Sequence, residues 1–155
     1  MLKQKLKEEL KQSMLARDEI KTSTLRMLLS AINYYEIQKR GAGYEATDED
    51  VISVIQKEVK QRKDSIGQFI SGRRLDLAQK EQKELEILQK YLPQQLDEDE
   101  ISEIVDEAIR QTGSTSPQDI GKVMGIVMPK IKGKADGAVV SKIVRERLSQ
   151  LRSVG

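Results

Sequence analysis

The stretch "MGIVMPKIKGKADG" (Met124–Gly137) decides how this chain folds. An apolar run at helical spacing meets Pro129, and Lys130, Lys132 and Lys134 follow among Gly133, Asp136 and Gly137. Proline lacks an amide hydrogen, and its ring crowds the carbonyl four residues back, here that of Gly125. The helix is therefore expected to kink or end near Met128. Gly133 and Gly137 permit backbone geometry that other residues avoid, and Asp136 can cap a new helix. Together these residues predict a helical hairpin with lysines around its corner. The same corner holds the N-terminus of the last helix, whose free amides attract anions.

Helical spacing continues in both directions from that corner. Downstream, Val140, Ile143, Val144, Leu148 and Leu151 form the face of the final helix. Upstream, Ser116, Pro117 and Asp119 spell a helix start, with Ile120, Val123, Met124, Val127 and Ile131 on its apolar side. Before it, Asp97 with Glu100 three later opens a helix bearing Ile101, Ile104, Val105 and Ala108, which Gly113 stops. Pro93 interrupts the chain at Leu92 and reads as a boundary.

Four helices are expected before Pro93. Leu2, Leu6, Leu10 and Met14 recur in the first. Asp18 caps a second with Leu25, Leu28, Ile32 and Tyr35 on one face. "RGAGYEATDED" (Arg40–Asp50) is a loop that ends in a capping pair, Thr47 and Asp50. Val51, Ile55, Val59, Ile66 and Ile70 mark the third helix, and "SGRR" (Ser71–Arg74) a short turn. Leu77, Leu85, Leu88 and Leu92 mark the fourth, whose polar "QKEQKE" middle is expected at the surface. The resulting expectation is an all-α protein: an N-terminal helical bundle over residues 1–93 and a small three-helix domain over 94–155.

Composition fits that class and narrows the chemistry. The chain has 155 residues with one Phe, four Tyr and no Trp, so its cores must be aliphatic. It has neither Cys nor His, which removes disulfides, thiolate nucleophiles, imidazole bases and the usual zinc ligands. No Gly-rich phosphate loop and no serine nucleophile motif is present. "DEDE" (Asp97–Glu100) has no calcium-loop spacing and reads as a helix start. No catalytic residue, metal or cofactor is expected. No apolar run approaches a membrane span of about 20 residues, and a soluble, cytoplasmic protein is the expectation.

The net charge of +2 conceals a division. Residues 97–120 carry eight acids and one base, whereas residues 121–155 carry eight bases and two acids. Lysines on a short corner suit phosphate contact. Lys130, Lys132 and Lys134 are the first RNA-contact candidates, with Lys122, Lys142 and Arg145 beside them. Without interleaved aromatics the footprint favours the shape and backbone of structured RNA over unpaired bases. Basic corners are also common on soluble proteins, so charge alone leaves a merely solvated corner open. On the third helix, Lys57, Lys60, Arg62 and Lys63 lie near Glu58 and Asp64, a pattern better read as local ion pairs than as a second basic surface. Tyr34 and Tyr35 could stack on a base, though one of two adjacent positions belongs to core or rim.

Four segments carry a resemblance. "GKVMGIVMPKIKGKADGAVVSKIVRERL" (Gly121–Leu148) resembles the C-terminal tail domain of the GatB subunit of glutamine-dependent tRNA amidotransferases. "TLRMLLSAIN" (Thr24–Asn33), "EVKQRKDSIGQF" (Glu58–Phe69) and "ELEILQKYLPQQL" (Glu84–Leu96) resemble the stand-alone YqeY family. The resemblance covers nearly the whole chain. It implies an all-helical protein, and by analogy with the tail domain it implies that the corner lysines meet the outer body of tRNA. The expected function is a tRNA- or RNA-binding or adaptor protein linked to tRNA metabolism, with tRNA, another structured RNA or a protein of the tRNA-handling machinery as partner. Two alternatives stand beside it: a carbon–nitrogen ligase role with glutamine as amide donor, and a protein-interaction module. A shared domain does not carry a shared reaction, and the ligase role would need a nucleotide site and an ammonia source that the sequence does not display.

Overall fold

The computed structural model describes residues 1–41 and 43–154, and the side chains among them except those of residues 40 and 152–154. Ala42, inside the expected loop, lies outside the described residues. The chain is all-α: seven α-helices and one short 3₁₀ turn are present among the described residues, with no strand. They fall into two compact units, Met1–Leu92 and Pro93–Gly155.

The first unit holds α1 (Leu2–Leu15), α2 (Glu19–Arg40), α3 (Asp48–Ser71) and α4 (Leu75–Gln89). α2 and α3 each touch the other three helices. Their shared core is aliphatic, with Leu6, Leu25, Leu28, Ile32, Val51, Ile55 and Leu88 all but inaccessible to solvent. Local chemistry sets the helix starts. The Asp18 carboxylate accepts the Lys21 amide at 3.1 Å. Thr47 and Asp50 close a reciprocal box, each side chain accepting the other's amide, at 3.2 and 3.0 Å. Arg73 takes a left-handed φ of 58° in the turn before α4.

The expected apolar stripes lose the core at their ends. Leu6 is fully buried, whereas Met14 and Ile70 are about half exposed. A four-residue spacing advances about 40° per step against the helix period, so Met14 has rotated about 120° from Leu2. Position 62 has not drifted: it lies in line with Val51, Ile55 and Val59 and faces inward, yet it is an arginine. Arg62 is buried, donating through Nη1 to Glu58 at 2.7 Å and through Nε to Glu84 at 3.3 Å. Glu84 therefore departs from the surface position expected for the "QKEQKE" stretch, because it answers the arginine in the core.

A second polar group ties down the α2–α3 loop. Lys3 donates to both oxygens of Glu36 at 2.9 and 2.8 Å, and the Ala46 amide donates to Glu36 at 2.6 Å. Burial alone would raise the Glu36 carboxyl, but the Lys3 bond and the Ala46 amide outweigh it and hold it below its ordinary value. Asp50 is lowered far more. The Tyr44 hydroxyl is the largest cause, followed by the Thr47 amide, and Tyr35 donates at 2.9 Å.

The second unit holds α5 (Glu98–Thr112), a 3₁₀ turn (Pro117–Asp119), α6 (Ile120–Ile131) and α7 (Gly137–Val154). Each of its α-helices touches the other two. Val105, Val123, Val127, Ile131, Val140, Val144 and Leu148 are fully buried between them. Asp97 caps α5 through the Glu100 amide at 2.8 Å, and Gly113 ends it at φ 65°. Ser116 and Asp119 form the expected box around Pro117.

Two outcomes follow. Arg62→Ala strands Glu84 in the core and should cost about 3 kcal/mol or more, whereas Arg62→Met with Glu84→Leu should return most of it, as read by urea melts. A pair of equal losses would show that volume rather than charge is at stake. The second outcome concerns acid. Glu36 and Asp50 have folded pKa values below their unfolded ones, so their contribution is complete only above about pH 5 and fades as pH falls further. Thermal midpoints should therefore drop steeply below about pH 4, and less steeply in Asp50→Asn, which starts lower at neutral pH.

Candidate nucleic-acid interface

The corner is built by a helix that outlasts its proline. α6 runs to Ile131, three residues past Met128, near which a kink or an end is expected, with Pro129 in its last turn. The hydrogen bond that Pro129 cannot make would have gone to Gly125. That residue is exposed, so water can take its carbonyl, and it brings no side chain of its own. A proline this close to the C-terminus costs one bond and not a helix.

Past Ile131 the chain turns within five residues. Lys132 is extended, with ψ 124°, and Gly133 is buried and left-handed, with φ 79°. A side chain at Gly133 would strain that turn. The Lys134 and Ala135 amides both fold back onto the Ile131 carbonyl, at 2.8 and 3.2 Å. Asp136 then caps α7 by accepting the Ala138 amide at 2.9 Å. The helix N-terminus is thus already served by a carboxylate, which corrects the expectation of free amides waiting for an anion. The positive character of the corner lies in its side chains.

Lys130, Lys132 and Lys134 are all exposed and lie within five residues around the turn. Lys130 is close enough to Glu107 of α5 to help lower that carboxyl, after the larger effect of the Arg110 bond. Lys142 and Arg145 are also exposed, about 8 and 12 Å along the α7 axis from Gly137. Lys122 is set apart. It stands in the first turn of α6, about 12 Å along the axis from Lys130, with its ammonium 3.9 Å from Asp119. The structure gathers three candidates at the turn, continues two along α7 and places the sixth at the far end of α6.

The corner has partners that no motif announced. The Leu96 amide donates to the Lys134 carbonyl at 2.9 Å. The Gln95 side-chain amide donates to the Gly133 carbonyl at 2.9 Å and to the Pro93 carbonyl at 2.7 Å. A glutamine after a proline carries no sequence signal for such a role. Elsewhere, the tyrosine pair divides as expected: Tyr34 is exposed, and Tyr35 is half-buried against Asp50. Arg62 faces the core, so only Lys57, Lys60 and Lys63 remain to face outward from that stretch of α3.

The family model described as Yqey-like protein matches residues 3–148. Altered inheritance of mitochondria protein 41, mitochondrial, from Saccharomyces cerevisiae strain YJM789 is 35% identical over 125 residues, covering 77% of this chain and 66% of its own length. The protein of that name from Vanderwaltozyma polyspora is 33% identical over 122 residues, covering 74% of this chain and 64% of its own. That of Lachancea thermotolerans is 40% identical over 90 residues, or 57% and 46%. The chain thus spans just under two thirds of the length of the curated relatives it matches first. Their names also overturn the cytoplasmic expectation, since these relatives are mitochondrial proteins.

One outcome isolates the cap from the charge. Asp136→Ala should cost the second unit about 1 kcal/mol, whereas Asp136→Asn, an equally good cap, should stay within a few tenths in denaturant melts. Equal losses in both would mean that the carboxylate charge and not the cap bond is what α7 needs.

Proposed function

The chain belongs to the YqeY-like family, and we propose that it is an RNA-binding or adaptor protein that holds the body of tRNA or a similarly structured RNA against the α6–α7 corner. The observation that carries the reading is the corner itself: three exposed lysines on a five-residue turn whose backbone is hydrogen-bonded on both sides. An ammonium is a compact point charge that meets a phosphate without demanding a base identity. Lys142 and Arg145 would extend the contact along α7, with Lys122 the most remote member. The mitochondrial setting named for the yeast relatives is carried over as part of the proposal.

The same electrostatics orient the RNA. α5 carries Glu98, Asp99, Glu100, Glu103, Asp106 and Glu107, so a polyanion approaching from that side is repelled. The Lys-bearing turn and α7 carry most of this unit's exposed positive charge among the described residues.

Labelled bulk tRNA titrated across a salt series tests the reading. Affinity should fall steeply with salt, and Lys130→Glu, Lys132→Glu and Lys134→Glu combined should reduce it at least about 100-fold and flatten the salt slope while helicity is kept. An unaltered affinity in that triple variant would remove the corner from the interface.

A further inference from the structure

The first residues of the second unit form a strap that lies on the corner. We propose that Gln95 is a positioning residue for the RNA-contact lysines, locking the Gly133 peptide so that Lys132 and Lys134 are presented in one fixed geometry. The inference rests on the RNA reading of this corner and adds to it the device that holds the site in shape.

The backbone sets the problem. Between Ile131 and Asp136 the chain is neither helix nor strand, so its carbonyls have no ladder to join. Gly133 is buried, and a buried carbonyl must find a donor. The Gln95 side chain supplies it at 2.9 Å. The atoms facing that side chain are two carbonyl oxygens, those of Gly133 and Pro93, so its nitrogen must point at them and both of its hydrogens are used. One residue later, the Leu96 amide takes the Lys134 carbonyl at 2.9 Å. Two consecutive residues of the strap thus hold two consecutive residues of the corner.

The strap is itself anchored. Leu96 packs on the core of the second unit, and Asp97 begins α5 directly after it. Pro93 restricts the backbone at the other end. The locked peptide is flanked by Lys132 and Lys134, so their backbone positions follow from it. Gln95 carries no charge and need not touch the RNA. Its effect is to spare the turn the ordering that binding would otherwise impose.

Gln95→Leu, neutral and of similar size, tests this, with Gln94→Leu at the exposed neighbour as control. Without RNA, Gln95→Leu should speed amide exchange at Leu96 and Lys134 while leaving the melting of the unit close to that of the parent. With tRNA it should weaken binding by about five- to tenfold with the salt slope retained, because the same phosphates are met by a less ordered turn. Loss of charge flattens the slope and loss of order does not, so the two origins are separable. Exchange rates unchanged in the variant, or loosened exchange with parental affinity, would overturn the positioning role while leaving the RNA reading intact. Failure of the parent protein to bind tRNA at low salt would overturn both. Should Gln95→Leu not fold, Gln95→Asn, which keeps the amide but shortens its reach, carries the same expectations.

Discussion

Backbone groups at helix ends must find partners, and most of this structure answers to that constraint. Every α-helix begins with unpaired amides and ends with unpaired carbonyls. A chain of short helices therefore carries many such ends relative to its core. In the first unit they are met by Asp18, by the Thr47–Asp50 pair and by the turn through Arg73. In the second, Asp97, Gly113, the Ser116–Asp119 pair and Asp136 serve the same purpose. After α6 the Lys134 and Ala135 amides close on the Ile131 carbonyl, and the Gly133 and Lys134 carbonyls beyond it take their donors from residues 95 and 96. The lysines stand where that borrowing occurs.

Caps and stripes were legible in the residues because both are local. Thr47 with Asp50, Asp97 with Glu100 and Ser116 with Asp119 are each three residues apart, and the geometry they imply is complete within one turn. The apolar faces were legible in their centres and not at their ends, where Met14 and Ile70 turn away from the core. Near Met128, where a kink or an end is expected, the helix does not end, because Pro129 falls in its last turn. A missing bond to an exposed Gly125 is cheap, and in the last turn it cannot propagate.

What stayed hidden depends on distant partners. Arg62 and Glu84 are 22 residues apart, and Lys3 and Glu36 are 33 apart. Each looks like a surface charge when read alone. Gln95 and Gly133 are 38 apart and belong to no pattern at all. A charged residue in the middle of an apolar stripe was the one available clue, at position 62, where helical phase points inward. A charge in that phase needs a buried counter-charge, and only tertiary structure says which residue provides it.

The proposed interface inherits its character from this economy. Two buried ion pairs turn their basic residues inward, Lys3 and Arg62, and spend their charge on the fold. At the corner the Gly133 and Lys134 carbonyls are held by neutral hydrogen bonds from Gln95 and Leu96, which draw on no charge. A turn held by salt bridges would have to choose between shape and attraction, since each acid that ordered a lysine would also cancel it. Holding the peptide with an amide separates the two tasks. On the RNA reading, that separation lets so small a unit present several positive charges in a set arrangement beside a strongly acidic helix.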